Sequence, residues 1–389
     1  MYTGQLIFAQ LMEFLPRHEF NPCVRRYRGE FRARGLSCRD QFLAMAFAQL
    51  TYRESLRDVE TCLRSLGSKL YHAGFRSTIS RSTLADANLR RDWRIYHDFA
   101  QVLIGHARKL YAQEPLAVAL ERTVYALDST VIELCLSLFP WAHSQRQKAA
   151  IKLHTLLDLR GNIPCFVRVS TAKTADSTVL DQLMPEPGSF YVMDRGYNDF
   201  ARLWRWTQAG AFFVVRCRSN ITFVRGASQA VDRDSGLRSD QRVRFRDRRT
   251  RKHYPQRIRR VTFYDVEHRR RFILLTNAFH LPALTIPQLY KCRWQVELFF
   301  KWIKQHLRIK HFFGRSPNAI KTQVWIAIST YVLVAILKRE LKIDRSLYEI
   351  LQILSITLFE KTPDFRGHLQ QNYQIPETQP PNQLTLFDF

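Results

Sequence analysis

Apolar residues recur every three or four positions through much of residues 1–115, which is the spacing of helices that bury one face. Two such stretches cover 40–50 and 55–66. A third, 80–91, is rich in Ser, Thr, Arg and Asn. Helix, turn and polar helix in this order fit a helix-turn-helix that contacts DNA, and equally a small helical bundle with a polar face. The pattern predicts an all-helical N-terminal domain and leaves both alternatives open.

From Thr123 the pattern changes to short runs of β-branched and aromatic residues. Strands are predicted over 125–132, 150–159, 163–170, 189–194 and 211–216, and helices over 178–183 and 198–208. The order β-β-β-α-β-α-β is that of the ribonuclease H-like fold, a mixed sheet flanked by helices. A strand over 272–277 and helices over 319–337 and 346–358 then close the core. The predicted fold class is therefore α/β, with the helical domain preceding a ribonuclease H-like core.

Residues 216–271 interrupt this order with a dense group of arginines. In 242–246 an Arg stands at every second position, so we expect strands with one basic, exposed face. Arg suits bidentate contact with phosphate, which makes Arg244 and Arg246 candidate DNA contacts. A solvated charged hairpin is the alternative. The pattern predicts a β-rich insertion within the α/β core.

The charge of the whole chain favours a polyanionic partner. It has 60 Lys and Arg against 34 Asp and Glu, a formal net charge of +26. Nucleic acid is favoured over an acidic membrane because the chain shows no anchor, and the uncharged run 322–337 is typical of a buried helix. The 7 cysteines form no Cys-x-x-Cys pair, which argues against structural zinc and for a reducing compartment. We therefore expect a cytoplasmic protein that binds DNA or RNA and no membrane.

One predicted helix, over 289–308, concentrates the candidate chemistry. At about 100° per residue, four of its polar side chains fall within an arc of about 60°: Tyr290, Arg293, Glu297 and Lys304. Lys301 lies close to the same line and is a further candidate DNA contact. A plain surface helix with an i,i+4 ion pair is the alternative. A carboxylate among phosphate-binding cations is typical of a metal ligand beside a nucleic-acid backbone.

Two further acids lie in the predicted sheet, Asp128 in the first strand and Asp194 at the end of the fourth. With Glu297 they would supply three carboxylates for two divalent cations about 4 Å apart. Such an all-oxygen site suits Mg²⁺, and Mn²⁺ is expected to substitute. Lys152 and His154, on the second strand, would lie near Asp128. The favoured interpretation is that both are ordinary residues on the surface of the strand. No Ser/His/Asp set or Walker motif stands out, so neither covalent catalysis nor ATP coupling is indicated.

These residues carry a resemblance to the DDE transposases of the insertion sequence 4 type. That family's signature, Tyr-x2-Arg-x3-Glu-x6-Lys, is matched by Tyr290, Arg293, Glu297 and Lys304. Its second acid, followed closely by Gly and an aromatic, is matched by Asp194, Gly196 and Tyr197, and its first acid by Asp128. A β-rich insertion between the second and third acids is a further shared feature. The likeness spans roughly residues 20–360.

The resemblance implies a role for each matching residue. The metal ligands would be Asp128, Asp194 and Glu297. Tyr290 and Arg293 would contact phosphates near the cleaved end, and Lys304 the adjoining strand. The implied reaction is metal-dependent hydrolysis of a 3′ phosphodiester at each terminal inverted repeat, followed by strand transfer into target DNA, with a hairpin on the pathway. The implied partners are double-stranded DNA and a second copy in a synaptic homodimer, at the bacterial nucleoid.

Two other functions stay open at this point. One is a ribonuclease H-like nuclease that cuts without strand transfer. The other is a silenced relative that binds the repeats as a repressor, against which the three intact acids argue. The predicted domains are 1–115, helical and DNA-binding; 116–338, catalytic, with the insertion at about 216–271; 339–369, helical; and 370–389, a flexible tail.

The tail contains a separate short motif. Residues 383–387 read Gln-Leu-Thr-Leu-Phe, which resembles the peptide by which bacterial proteins dock on the replicative sliding clamp. An apolar hook after a polar linker suits peptide recognition in a groove. The alternative is that Leu386 and Phe389 pack on the domain itself.

Overall fold

The computed structural model describes residues 4–33, 35–116, 118–134, 139–142, 149–305 and 312–370. Its helices are α1 (Ile7–Glu13), α2 (Arg17–Arg26), α3 (Cys38–Leu50), α4 (Leu56–Ser65), α5 (Lys69–His72), α6 (Arg81–Arg90), α7 (Arg94–Leu110), α8 (Phe200–Gln208), α9 (Arg248–His253), α10 (Thr285–Cys292), α11 (Trp294–Gln305), α12 (Pro317–Glu340), α13 (Leu347–Thr357) and α14 (Phe365–Gln370). Its strands are β1 (Gln5–Leu6), β2 (Val124–Leu134), β3 (Ala149–Asp158), β4 (Ile163–Thr171), β5 (Phe190–Met193), β6 (Phe212–Arg216), β7 (Phe223–Gln229), β8 (Leu237–Phe245), β9 (Ile258–Asp265), β10 (Arg270–Thr276) and β11 (Lys361–Thr362).

One mixed sheet of nine strands organises the described chain, in the order β4-β3-β2-β5-β6-β10-β9-β8-β7. The β2–β3 and β3–β4 pairs are antiparallel, whereas β5 pairs in parallel with both β2 and β6. The expectation of an α/β fold with a large mixed sheet is confirmed. The α-helix predicted over 178–183 is wrong: a short 3₁₀ turn (Asp176–Asp181) lies there. Pro185 and Pro187 follow so closely that an α-helix cannot extend.

The basic insertion extends this sheet instead of forming a separate one. Strands β7, β8 and β9 continue outward from β10, which pairs with β6. Along β8 the predicted alternation is present, because Val243 and Phe245 are buried while Arg242, Arg244 and Arg246 are exposed. One arginine of the insertion, on the neighbouring strand β9, is buried and does not belong to this exposed face.

That arginine, Arg259, is buried inside the sheet's packing. Its guanidinium donates two hydrogen bonds to the carboxylate of Asp240, at 2.9 and 2.8 Å, and two more to the carbonyl oxygens of Ala278 and Leu281. Each buried charge is therefore paired and fully hydrogen-bonded, which is the condition for burying charges without a large penalty. This pair joins β8 and β9 to the loop that leads into α10.

The N-terminal helices share an apolar core with the C-terminal ones. Leu43 on α3 and Phe99 on α7 belong to the same buried cluster as Leu333 on α12. α12 is long and apolar enough to cross a membrane, alone among the described helices, and 94% of its most apolar window is buried inside the protein. It is the central core helix here, as the run 322–337 indicated.

Helix α6 is the polar helix of the predicted helix-turn-helix. Ser80 caps its N-terminus, and the Ser80 hydroxyl accepts a hydrogen bond from the Thr83 amide at 3.2 Å. Leu84 and Asn88 are buried, while most of its other side chains, including Arg81 and Arg90, are exposed. An exposed polar face fits both alternatives, so the DNA-binding role of this region stays a prediction.

Candidate active site

The two sheet acids lie on neighbouring parallel strands, at the level where the shorter strand ends. Leu127 on β2 is paired with Met193 on β5. Asp194 directly follows β5, whereas β2 continues beyond Asp128 to Leu134. Because this parallel pairing puts the residues after Leu127 and Met193 at the same level, the two acids are neighbours. Side-chain periodicity and strand direction together therefore place the two predicted acids next to each other.

The third acid comes from a helix that is broken where a single continuous helix was predicted. α10 and α11 meet at Arg293, whose amide bonds to the Tyr290 carbonyl at 3.1 Å and whose carbonyl accepts from Val296 at 3.1 Å. These i to i+3 bonds tighten one turn. The predicted end of the helix at 308 lies outside the described residues. Tyr290, Arg293 and Glu297 nonetheless lie on one side of the broken helix and face the two sheet acids.

Direct contacts join these helix residues to the acids. Arg293 donates from Nη1 to Oδ2 of Asp128 at 2.5 Å and from Nη2 to Oε1 of Glu297 at 2.6 Å. The Tyr290 hydroxyl donates to Oδ1 of Asp194 at 3.0 Å. The Arg293 side chain is only 14% exposed, so its charge interactions are weakly screened. One arginine thus bridges Asp128 and Glu297, and a tyrosine from the same motif binds Asp194.

Burial and the neighbouring acids both disfavour the charged form of the Asp128 carboxylate. Burial raises the pKa of Asp128 to about 6, and the nearby charges of Glu297 and Asp194 push in the same direction, while Arg293 opposes them. Burial also raises the pKa of Tyr290 to about 12, with the charge of Asp194 adding to the effect. Clustered carboxylates shift in this way because like charges disfavour ionisation. A cation bound between them would relieve that repulsion.

The two candidate lysines lie along a cleft beside the acids. This cleft, of about 370 Å³, is lined by Asp128, Ser129, Thr130, Glu297, Phe300, Lys301 and Lys304. Lys301 is exposed, and Lys304 donates from Nζ to the carbonyl of Val131 at 2.8 Å. Both cations therefore lie along the continuation of β2 beyond Asp128. Arg244 and Arg246 are not brought to this cleft, because β8 is separated from β5 by β6, β10 and β9.

Arg216 is a charged neighbour of the acids that the sequence did not single out. It ends β6, the strand next to Asp194, and its guanidinium lies 3.9 Å from Oδ1 of that acid. Its side chain also stacks over the ring of Phe272, at 5.3 Å. The residue was one among many arginines at the start of the insertion, so its sequence context gave no distinguishing signal.

Asp176 is a second charged neighbour of the site that its sequence context did not single out. Its Oδ1 accepts a hydrogen bond from Ser129 at 2.7 Å and from Lys152 at 3.1 Å. His154 is buried beside it and contacts Ser170 through Nε2 at 2.9 Å. Burial lowers the pKa of His154 to about 4. Lys152 and His154 thus lie close to the strand segment that follows Asp128, as expected, but Lys152 binds Asp176 and not Asp128.

A second group that could hold a metal lies elsewhere, at the turn between β9 and β10. Ligand atoms of Asp265, Glu267 and His268 all fall within 4.8 Å of one another. The ammonium of Lys291 lies 3.6 Å from the Asp265 carboxylate, so a cation already compensates its most buried acid. This group shares no residue with the predicted site.

Comparison with known proteins decides the family. Residues 119–333, more than half of the chain, match the family model described as the transposase DDE domain. The chain belongs to this family. DNA cleavage and transfer, with help from divalent metals, follow for it at the level of the family. Residues 3–76 also match a domain of unknown function.

Several transposases are similar to this DDE-domain protein. It is 32% identical over 282 residues to a putative transposase, y4zB, of Sinorhizobium fredii, covering 72% of this chain and 77% of that protein. It is 31% identical over 214 residues to a probable transposase for insertion sequence element IS5377 of Geobacillus stearothermophilus, covering 53% and 54%. Transposase InsG for insertion sequence element IS4 of Escherichia coli is 24% identical over 197 residues, covering 47% and 43%. The predicted identity as an insertion-sequence DDE transposase is confirmed at the family level.

The chemistry of the site fits the divalent metals of a DDE domain. All three acids offer carboxylate oxygens, the ligands that hard cations such as Mg²⁺ and Mn²⁺ prefer. Burial raises the pKa of Asp128, and the nearby charges of Glu297 and Asp194 add to the effect. Asp128, Asp194 and Glu297 are therefore residues that could hold such ions.

Proposed function

We propose that this protein is a transposase of the insertion sequence 4 type in which Asp128, Asp194 and Glu297 hold two divalent cations. Mg²⁺ is the cation in the cell, and Mn²⁺ substitutes for it. The observation that supports the proposal is the bridging contact of Arg293 with Asp128 and Glu297. It unites the first and third acids through the Arg of the four-residue signature, and Tyr290 of the same signature binds the second acid.

Each residue around the acids has a task at the cleaved DNA end. Metal ions bound there lower the pKa of an attacking water or 3′-hydroxyl and stabilise the leaving oxygen. Arg293 binds phosphate oxygens at the cleaved end, since its planar guanidinium suits bidentate phosphate contact. Tyr290 fixes Asp194 and contacts the same phosphate region. Lys301 and Lys304 bind the adjoining strand in the cleft.

Arg293 carries out two tasks in turn. Its guanidinium occupies one carboxylate oxygen of Asp128 and one of Glu297, and a cation held by both acids would draw on the same two carboxylates. Metal binding and the arginine therefore compete for these acids. An arginine displaced from them is free to contact the phosphate of a DNA end.

The DNA substrate is the terminal inverted repeat of the element. The protein hydrolyses a 3′ phosphodiester there, and the freed 3′-hydroxyl attacks the opposite strand, which releases the flanking DNA and leaves a hairpin on the element end. Hydrolysis of the hairpin regenerates the 3′-hydroxyl, which then attacks a phosphodiester of the target DNA and displaces a target 3′-hydroxyl. The exposed side chains of Arg244 and Arg246 contact phosphates away from the site, and the N-terminal helices contact the repeat. Two copies pair the two ends in a synaptic homodimer. The net charge of +26 supports such extensive contact with DNA.

The tail gives the protein a second partner, the bacterial sliding clamp. The motif at 383–387 lies outside the described residues, and the last described helix, α14, ends at Gln370. A pull-down with purified clamp tests this partner by comparing the intact chain with one truncated after Asn382. We expect retention of the intact chain only. Equal retention of both would contradict binding of the clamp through residues 383–387.

One experiment separates the proposed function from its alternatives. A DNA fragment that carries the element's two ends, found as matching inverted repeats beside the gene, is incubated with the protein and Mg²⁺. Excision followed by joining is the expected result. Nicks without joining would identify a nuclease instead, and a gel shift without cleavage would identify a repressor.

A further inference from the structure

Asp176 connects two strands of the site through one carboxylate oxygen. It begins the 3₁₀ turn between β4 and β5. Its Oδ1 accepts from the hydroxyl of Ser129 on β2 at 2.7 Å and from the ammonium of Lys152 on β3 at 3.1 Å. Lys152 is held in turn by the carbonyl of Thr174, at 2.8 Å. The carboxylate is thus fixed between two neighbouring strands.

Ser129 links Asp176 to the first acid, Asp128. Its backbone amide donates to Oδ1 of Asp128 at 2.8 Å, while its hydroxyl is bound by Asp176. The same residue is therefore held on one side and holds Asp128 on the other. Such a two-step chain restricts where the Asp128 carboxylate can point.

The second oxygen of Asp176 lies against the segment that follows the second acid. A Cβ built on Gly196 would come within 3.2 Å of Oδ2. Gly196 is in the 3₁₀ turn Arg195–Tyr197, directly after Asp194. A side chain at Gly196 would press on the carboxylate, which explains why glycine suits this position. One carboxylate thus binds the segment that follows Asp128 and lies close to the segment that follows Asp194.

The contacts of Asp176 favour a supporting role over metal ligation. Oδ1 is already shared by a hydroxyl and an ammonium, so its charge is compensated without a metal ion. We propose that Asp176, paired with Lys152, is a positioning residue that sets the separation of Asp128 and Asp194 through Ser129 and Gly196. This inference rests on the proposed metal site. Loss of such outer contacts typically costs about 10- to 100-fold in metal affinity.

Binding of Mn²⁺, followed by the electron paramagnetic resonance signal of the free ion, tests the role directly. We expect Asp176→Ala to weaken Mn²⁺ binding about 10- to 100-fold. Asp176→Asn can still accept the Ser129 hydrogen bond and loses only the charge that attracts Lys152, so it should recover part of the affinity. Ser129→Ala, which removes only the connecting hydroxyl, should weaken binding while the thermal unfolding midpoint stays close to that of the wild type.

The other acid of the same turn provides a matched control. Asp181 pairs with Arg202 and Arg205 on the outer side, away from Ser129. If Asp176 merely stabilises the turn, Asp181→Asn should weaken Mn²⁺ binding as much as Asp176→Asn does, and that outcome would overturn the proposal. Wild-type Mn²⁺ affinity in Asp176→Ala would overturn it as well.

A further variant separates failure of this inference from failure of the metal site itself. Asp128→Asn should abolish tight Mn²⁺ binding. If it does, and Asp176→Ala binds as the wild type does, only the positioning role is wrong. If Asp128→Asn binds Mn²⁺ normally, the proposed metal site is wrong, and the positioning role that rests on it falls too.

Discussion

Replacing Arg293 with Gln tests the competition between the arginine and a metal ion. The wild-type guanidinium contacts Asp128 and Glu297 at 2.5 and 2.6 Å and is 14% exposed. Glutamine removes the positive charge and leaves two partly buried carboxylates facing each other. The metal-free variant should therefore be less stable than the wild type, and it should bind cations more tightly.

The structure sets the size of both effects. Removing one partner of a buried ion pair costs about 3–5 kcal/mol in the free energy of unfolding. The carboxylate side chains of Asp128 and Glu297 are 19% and 35% exposed, so the lower value, about 3 kcal/mol, is expected here. A cation that no longer has to displace the guanidinium gains part of this energy. Since about 1.4 kcal/mol is tenfold in affinity, Mn²⁺ should bind about 10- to 100-fold more tightly.

Thermal unfolding with and without Mn²⁺, together with a Mn²⁺ titration, measures both effects. The variant should unfold at a lower temperature without metal and recover most of the difference when Mn²⁺ is added. Arg216→Gln is the matched control, because Arg216 lies 3.9 Å from Asp194 without a hydrogen bond, and its effects should be smaller. Mn²⁺ affinity in Arg293→Gln that equals or falls below the wild-type value would refute the competition.

Three further outcomes are expected. The pKa of Asp128 is raised from 3.8 to about 6 in the folded state, so folding favours its protonated form. The metal-free protein should therefore lose stability relative to Asp128→Asn as the pH rises from about 4 to about 6. A difference in the free energy of unfolding that does not change with pH, measured by denaturant titration, would contradict this. Arg259→Met leaves Asp240 buried and unpaired, so it should lower the free energy of unfolding by about 3–5 kcal/mol. A decrease of less than about 1 kcal/mol, measured by denaturant titration, would contradict a stabilising role of the buried pair. Arg244→Ala and Arg246→Ala should each weaken DNA binding and reduce its salt dependence by about one phosphate contact. Arg366→Ala on α14 is the control and should do neither. Equal salt dependence of DNA binding in all three variants, measured by fluorescence anisotropy, would count against phosphate contacts by the arginines of β8 and its end.

The strands around the site were predictable because their signals are local. Apolar runs and turn residues bounded β2 to β6 to within one or two residues, and the parallel pairing of β2 with β5 then brings Asp128 and Asp194 together. The spacing of Tyr290, Arg293 and Glu297 likewise put them on one helical face. Periodicity and strand direction are enough to predict these features.

Other features depend on contacts between distant segments and could not be predicted. The helix break at Arg293 coincides with its reach to Asp128, 165 positions away in sequence. Arg259 looked like any other arginine of the basic insertion, because its buried partner Asp240 lies on the neighbouring strand. Asp176 carried no distinguishing sequence signal, because its contacts with Ser129 and Lys152 join residues 47 and 24 positions apart.

Cleavage of a DNA end by Asp194→Asn in the presence of Mg²⁺ tests the central claim most directly. The substitution removes one metal-binding charge and keeps the side chain's size, and Asp265→Asn in the separate acidic group is its control. We expect Asp194→Asn to bind the DNA end without cutting it, and Asp265→Asn to cut as the wild type does. Wild-type cleavage by Asp194→Asn, or loss of cleavage in Asp265→Asn alone, would contradict the assignment of the active site.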